Sequence, residues 1–229
     1  MENSNHFNVI VIGAGISGIG AGYYLKKNCP NKSFCIIEGR ENIGGTWDLF
    51  KYPGIRSDSD MFTLGYAFKP WKEQKTIANG PSILNYLEET VEENNLREKI
   101  KFNHKVLSAN WNSGSQKWEV RAAHHEQEIL LTANFLFMGT GYYNYDEGYT
   151  PDFNDLNKYE GKLIHPQKWP EDYDYTDKKM VVIGSGATAA TIIPELSKKA
   201  KHVTMLQRSP TYYFPSPDED RFANFLKKI

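Results

Sequence analysis

The apolar positions of this chain begin with a short, nearly continuous run that is followed by helical spacing. Residues 7–12 are almost all apolar, as expected of a parallel strand that is buried on both faces. After a glycine-rich turn, residues 16–28 repeat apolar side chains at helical spacing, and residues 33–38 return to an apolar run. The pattern predicts a strand–helix–strand unit of about 30 residues.

The same arrangement recurs downstream. Residues 180–183 form an apolar run, a second glycine-rich turn follows, residues 187–200 are helix-like and residues 202–207 are strand-like. Two such units predict an α/β fold with two dinucleotide-binding, Rossmann-like domains built on parallel sheets. The predicted boundaries are 1–142 for the first domain, 143–177 for a linker and 178–229 for the start of the second domain.

Antiparallel strands are expected within the first domain. Residues 101–111 and 116–122 flank a turn cluster, and residues 128–131 and 135–138 supply two further apolar runs. They predict a small β-meander that leads into a last buried strand. Residues 39–80 show no sustained periodicity, and loops of that length in a compact domain are usually functional.

The first glycine-rich turn has the residue types that a dinucleotide pyrophosphate requires. Gly13 permits the tight turn, Gly15 lets the backbone approach the phosphates, and Gly18 lets the helix pack closely on the strand. Glu38, at the end of the next strand, is placed to accept hydrogen bonds from an adenosine ribose. This combination favours FAD or NAD over a glycine turn that binds no nucleotide.

The second glycine-rich turn is followed, after the next helix and strand, by residues of a different type. Gly184, Gly186 and Ala189 occupy the three equivalent positions, but Gln207 and Arg208 stand where the acid would be. A guanidinium binds phosphate oxygens in bidentate fashion, which favours a 2′-phosphate and therefore NADP. The alternative is that Arg208 is a solvated charge after a strand.

Bulk composition excludes several other classes of function. A net charge of -1 and no dense basic block give no reason to expect nucleic acid or an anionic membrane as partner. No apolar run approaches the roughly 20 residues of a membrane span, so we expect a cytoplasmic protein. Cys29 and Cys35 have no metal-ligand neighbours, and we predict free thiols and no metal site.

Two further segments carry a resemblance to a known family. Residues 39–48 include Gly44, Gly45, Thr46 and Trp47 and resemble the second glycine motif of two-dinucleotide flavoproteins, in which disulfide reductases have a redox cysteine where Trp47 stands. Residues 159–170, with Tyr159, Gly161, His165 and Trp169, resemble the fingerprint of type I Baeyer–Villiger and related flavin-containing monooxygenases. Residues 52–66 and 202–210 are similar in particular to the ethionamide-activating branch.

The resemblance implies roles for individual residues. Asp58 and Arg56 would serve catalysis, with Asp58 orienting an arginine that this chain does not reach, while Gly161, His165 and Trp169 would relate domain positions. Val106 would bring backbone to the adenine. The other implied FAD contacts are Gly13, Gly15, Ser17, Gly18, Glu38, Gly45, Thr46, Trp47 and Asp58. The implied NADP contacts are Arg56, Ser57, Asp58, Gly184, Ser185, Gly186, Ala187, Gln207 and Arg208.

The resemblance also implies an activity. A monooxygenase of this family uses NADPH to reduce FAD, forms a peroxide at flavin C4a with O₂, and inserts one oxygen atom into a ketone or oxygenates a sulfide, amine or thioamide. Its members are about twice as long, so we expect this chain to be truncated within the NADP-binding domain. The alternatives are a non-catalytic nucleotide-binding fragment and, more distantly, a thiol-disulfide reductase; the sequence leaves the oligomeric state open.

Overall fold

The computed structural model describes residues 5–214 and 217–226, so the outermost residues of the first and last predicted domains, 1–4 and 227–229, lie outside the described part. The chain divides into two compact units. One contains the residues up to Asp48 together with Leu84–Tyr142, and the other contains Leu49–Ile83 together with the residues from Tyr143 onward. The long loop predicted with the first domain therefore groups largely with the second unit, and the predicted domain boundaries stay a prediction.

The first unit is built on a six-stranded sheet with the strand order β3-β2-β1-β6-β5-β4. β1 pairs in parallel with β2 and with β6, β2 pairs in parallel with β3, and β4, β5 and β6 form an antiparallel meander. The predicted fold class is thereby confirmed in this unit. The strands are β1 (His6–Ile12), β2 (Phe34–Ile37), β3 (Ile100–Lys101), β4 (His104–Asn112), β5 (Lys117–His124) and β6 (Gln127–Met138).

The prediction for residues 128–138 is wrong in two respects. Residues 135–138 are not a buried strand, because Phe135, Phe137 and Met138 are exposed. The two runs at 128–131 and 135–138 are parts of a single strand, β6, of 12 residues. Thr132 and Ala133 explain the continuity, because they pair with β5 on one side and with β1 on the other. The strand passes directly from antiparallel to parallel pairing without a turn.

Helices cover one side of the first sheet. α1 (Ile16–Asn28) follows the first glycine turn, and α4 (Gly80–Glu93) leads into the short 3-10 helix Arg97–Lys99. A Cβ built on Gly22 of α1 would lie 2.8 Å from Cδ1 of Ile36, so the helix packs directly on β2. The opposite face of the sheet has its own buried cluster of Ile10, Ile12, Cys35, Ile37, Val120, Leu131 and Ala133. β1 is therefore continuously apolar from Val9 to Ile12, where both of its faces are covered.

The second unit contains the second strand–helix–strand arrangement. β7 (Lys179–Ile183) and β8 (His202–Leu206) pair in parallel, and α5 (Ala187–Leu196) connects them. Phe50 and Tyr52 of the long loop form a buried cluster with Ile192 and Leu196 of α5. Aromatic residues of the loop thus complete the core of this unit. The remaining elements are the short helices α2 (Thr46–Leu49), α3 (Met61–Leu64) and α6 (Arg221–Leu226) and the 3-10 helices Leu156–Lys158 and Pro166–Lys168.

Within residues 5–214 and 217–226, no helix combines the length and the apolar character needed to cross a membrane.

A pair of stacked histidines closes the open end of the β4–β5 hairpin. His104 and His124 are cross-strand partners, and their ring centroids are 4.0 Å apart. Nδ1 of His104 lies 2.5 Å from the carbonyl oxygen of Phe102 and carries the proton, because a carbonyl can only accept. Burial lowers the pKa of His104 below its ordinary value of 6.5, and the positive charge of Lys101 acts in the same direction.

The lowered pKa of His104 predicts a pH-dependent stability. Between the two pKa values the unfolded chain binds more protons than the folded chain, so the free energy of unfolding should fall as the pH falls from about 7.5 to about 5. His104→Gln cannot titrate in this range and should show a shallower dependence. Chemical denaturation of both proteins across this pH range tests the prediction, and parallel curves would contradict it.

Candidate nucleotide-binding sites

Two positions of the first glycine turn have no room for a side chain. Gly13 has φ +97, and a Cβ there would lie 2.5 Å from the carbonyl oxygen of Gly139. A Cβ on Gly18 would lie 1.8 Å from the carbonyl oxygen of Gly13. The structure therefore supports the predicted roles of these two glycines in the tight turn and in helix packing.

Gly15 differs from the other two glycines. A Cβ there would lie 3.5 Å from Cα of Gly45, which is an ordinary contact. Gly15 is also the N-cap of α1 and supplies no side-chain cap, with Ser17 in the first turn of the helix. Packing within the protein therefore does not require glycine at position 15. The predicted reason for Gly15 stays the close approach of a pyrophosphate.

Glu38 is held against this turn. The residue follows β2 and is 7% exposed. One carboxylate oxygen, Oε2, accepts a hydrogen bond of 2.8 Å from the backbone N–H of Ala14, and the other, Oε1, accepts one of 3.0 Å from the N–H of Arg40. A carboxylate has about four acceptor positions, so these two bonds leave capacity for ribose hydroxyls.

The second glycine segment lies beside the first. The N–H of Gly44 donates to the carbonyl oxygen of Ala14 at 3.0 Å, and Gly44 and Gly45 both have positive φ, +112 and +56. Thr46 and Trp47 begin the short helix α2 directly after this turn. The structure thereby brings Gly44 and Gly45 next to the first turn, and contact of Gly45, Thr46 and Trp47 with FAD stays a prediction.

The start of β4 also lies against this part of the unit. The N–H of His104 donates to the carbonyl oxygen of Glu38 at 2.8 Å. Val106, two residues further along β4, is partly buried against the cluster of the sheet. Backbone of the Val106 segment is therefore close to the end of β2, and its contact with an adenine stays a prediction.

The second glycine turn, in the second unit, has the same local geometry with more open space. Gly184 has φ +123, and its N–H donates to the carbonyl oxygen of Leu206 at 2.8 Å. A Cβ built on Gly184 or Gly186 would meet no atom within 4 Å. Gly186 is the N-cap of α5, without a side-chain cap, and Ala187 is the first residue of the helix. The helix N-terminus is thus available to an anion.

Residues around the second turn include two that the sequence did not single out. The Ser185 hydroxyl lies 2.7 Å from the Thr211 hydroxyl, and the Tyr213 hydroxyl donates to the carbonyl oxygen of Ser185 at 2.9 Å. Gln207 and Arg208 directly follow β8 and are exposed. No sequence pattern marked Thr211 and Tyr213, because they contact the turn from a segment without periodicity.

Arg56 and Asp58 lie in the long loop, on either side of Ser57. Ser57 is 2% exposed, its N–H donates to the carbonyl oxygen of Ala78, and its hydroxyl accepts from the N–H of Ala78. Arg56 and Asp58 are exposed. Ser57 therefore anchors the loop, and the catalytic role of its two neighbours stays a prediction.

The fingerprint segment has local structure that explains part of its spacing. A Cβ on Gly161 would lie 2.2 Å from the Tyr159 hydroxyl oxygen, so the aromatic ring folds back over a glycine. His165 caps a 3-10 helix, since its Nδ1 accepts from the N–H of Gln167 at 3.2 Å. Trp169 packs against the buried cluster of the second unit. A conformational role for Gly161, His165 and Trp169 is not tested by these contacts.

The cysteines do not form a redox pair. Both Cys29 and Cys35 are free thiols. Cys35 lies in the buried cluster of the first sheet, and burial raises its pKa to about 12. A thiol with this pKa is a poor nucleophile at neutral pH, which argues against the thiol-disulfide alternative.

The two glycine turns, each joining a parallel strand to a helix, define an α/β protein with two Rossmann-type units. The family model described as "Pyridine nucleotide-disulphide oxidoreductase" matches residues 10–220. The chain belongs to this family, although Trp47 stands where its disulfide reductases have a cysteine.

Two curated relatives that match this chain are named as FAD-containing or FAD-binding monooxygenases. "FAD-containing monooxygenase EthA" of Mycolicibacterium smegmatis is 54% identical over 226 residues, which are 98% of this chain and 46% of the relative. "Probable FAD-binding monooxygenase AlmA" of Acinetobacter baylyi is 52% identical over 227 residues, which are 98% of this chain and 45% of the relative. The chain spans about half the length of these relatives. The predicted resemblance to flavin-containing monooxygenases is confirmed.

Solved structures agree with both the fold and the family. A steroid monooxygenase bound to NADP matches with a TM-score of 0.83 and 29% identity over 97% of this chain and 42% of that chain. A cyclohexanone monooxygenase from Rhodococcus bound to NADP⁺ matches with a TM-score of 0.78 and 28% identity over 93% of this chain and 40% of that chain. The predicted α/β fold class is confirmed.

Proposed function

We propose that this chain acts as an FAD- and NADPH-dependent monooxygenase of Baeyer–Villiger type, which inserts one oxygen atom of O₂ into its substrate. The substrates are a ketone, sulfide or thioamide together with O₂. The observation that carries the proposal is the buried Glu38 carboxylate, which is bonded to the first glycine turn and retains acceptor capacity toward a ribose. The named relatives are FAD-containing monooxygenases, which supports the same conclusion.

FAD fits the residues of the first unit. Glu38 accepts hydrogen bonds from the adenosine ribose, and the N-terminal end of α1 faces the pyrophosphate. The Gly44–Gly45 turn lies beside the part of FAD that follows the pyrophosphate. FAD, when bound, supplies hydride acceptance and the activation of O₂. The protein contributes binding, orientation and the exclusion of water.

NADPH fits the second turn. The open space at Gly184 and Gly186 and the uncapped start of α5 suit a pyrophosphate. Arg208 pairs with the 2′-phosphate, and Gln207 introduces no opposing carboxylate. Arg56 supplies a further positive charge to NADPH. Asp58 orients the arginine that the family places near the reacting oxygen.

The fragment alternative is not favoured by the comparisons, because the relatives that match 98% of this chain are named as monooxygenases. It differs from the proposal in one measurable respect, since a nucleotide-binding fragment binds FAD and NADPH without passing a hydride between them. The cytoplasmic location and the domain boundaries stay predictions.

Reduction of bound flavin by NADPH tests the function. The purified chain, loaded with FAD and kept anaerobic, should lose its flavin absorbance on addition of NADPH. Admission of O₂ with a cyclic ketone or an aryl sulfide should then yield the ester or sulfoxide. Flavin that stays oxidised under NADPH would contradict the proposal for this chain and favour the nucleotide-binding fragment.

Arg208 should select NADPH over NADH. Arg208→Ala removes a charged hydrogen bond to the 2′-phosphate, worth about 1.5–3 kcal/mol, so the Kd for NADPH should rise about tenfold to a hundredfold. The Kd for NADH should not change. Lys201→Ala removes an exposed charge from the same unit and is the matched control. Nucleotide fluorescence titration measures both constants, and equal losses for the two nucleotides would show that Arg208 does not read the phosphate.

A further inference from the structure

We infer that Arg40, oriented by Asp48, is a positioning residue that holds the Gly44–Gly45 turn in place for FAD. The inference rests on the proposed function, since it assigns the residue to the same nucleotide site. Both residues lie within the segment 39–48, but the sequence analysis assigned no role to either of them. Their role follows from hydrogen bonds within the first unit.

The first glycine turn, the Gly44–Gly45 turn and Glu38 are joined in a closed ring of hydrogen bonds. The Glu38 carboxylate accepts from Ala14 N–H at 2.8 Å, and the Ala14 carbonyl oxygen accepts from Gly44 N–H at 3.0 Å. The Gly45 carbonyl oxygen accepts from Arg40 Nη2 at 3.1 Å, and Arg40 N–H donates back to Glu38 at 3.0 Å. Arg40 closes this ring, because its side chain bonds Gly45 and its main-chain N–H bonds Glu38.

Asp48 fixes the direction of the guanidinium. Its Oδ2 lies 3.0 Å from Nη1 of Arg40, and the side chains of Arg40 and Asp48 are 27% and 13% exposed. A planar guanidinium can bond a carboxylate with one nitrogen and a carbonyl with another, which a lysine ammonium does not reproduce. Both side chains are partly shielded from water, which strengthens the ion pair relative to an exposed one, so the pair holds Gly45 in place.

The Gly44–Gly45 turn needs such bonds to keep a single conformation. Gly44 and Gly45 have φ +112 and +56, and glycine restricts its own backbone less than any other residue. Without bonds from outside the turn, this segment would sample many conformations. The Arg40 side chain supplies one of the bonds that select the conformation beside the first turn.

The main-chain and side-chain bonds of Arg40 can be separated by mutation. Its main-chain N–H bonds Glu38, whereas its side chain bonds Gly45 and Asp48. The guanidinium Nε lies 3.9 Å from Glu38 Oε1, beyond hydrogen-bond distance, and a lysine keeps the positive charge. Arg40→Lys therefore releases the Gly44–Gly45 turn and leaves the hydrogen bonds of Glu38 in place. A residue that only stabilised the fold would affect both alike.

The experiment compares FAD with ADP, which carries the adenosine and the diphosphate of FAD but lacks its flavin part. Arg40→Lys in the full chain should raise the Kd for FAD about tenfold, as expected for the loss of one charged hydrogen bond, and leave the Kd for ADP nearly unchanged. Asp48→Asn should act in the same direction and add little in the Arg40→Lys background. Arg121→Lys is the matched control, because Arg121 forms an exposed ion pair with Glu128 in the same unit.

Amide hydrogen exchange of the chain without nucleotide supplies a second, independent readout. Arg40→Lys should speed exchange at residues 44–48 and leave α1 unchanged. Equal weakening of FAD and ADP, or unchanged exchange at residues 44–48, would overturn the inference. A wild-type chain that binds neither nucleotide would instead contradict the proposed function and the FAD part of this inference, while the exchange data would still decide whether Arg40 holds the turn. Should Arg40→Lys fold poorly, Asp48→Asn alone gives the same decision.

Discussion

The arrangement of the first unit depends on a buried carboxylate at the end of a parallel strand. Glu38 is 7% exposed, and its two oxygens bond Ala14 of the first glycine turn and Arg40 of the following segment. A buried charge is tolerated only where hydrogen bonds replace water. The need to satisfy this carboxylate therefore links the turn, the end of β2 and the second glycine segment. The same carboxylate is the group that we assign to the ribose of FAD.

The sequence predicted best where a local constraint has only one solution. Gly13 and Gly18 cannot carry a Cβ because a carbonyl oxygen lies 2.5 Å or less from its position, and such crowding is visible in the sequence as a glycine pattern. The apolar runs of β1 and β2 also predicted their buried strands. Predictions failed or stayed open where the outcome depends on distant residues. β6 is one strand because it pairs with different partners along its length, which no local pattern reveals.

The candidate sites show the same contrast. Glycines and the acid at the end of β2 were recognisable because their spacing is local, whereas Arg40, Thr211 and Tyr213 act through contacts that no spacing rule marks. The family name refers to disulphide chemistry, but Cys35 is buried in the sheet and Trp47 occupies the position of the redox cysteine. The chain therefore belongs to this family by its fold, while these two positions do not supply a redox disulfide.

The central claim is that Glu38 anchors FAD, and the FAD affinity of Glu38→Gln tests it most directly. The glutamine amide keeps the shape of the side chain but loses the charge and one acceptor oxygen. We expect the Kd for FAD to rise about tenfold or more, because charged hydrogen bonds of this kind are worth about 1.5–3 kcal/mol. Glu41→Gln, an exposed neighbour, should bind FAD as the wild type does. Wild-type affinity in a folded Glu38→Gln protein would contradict the account.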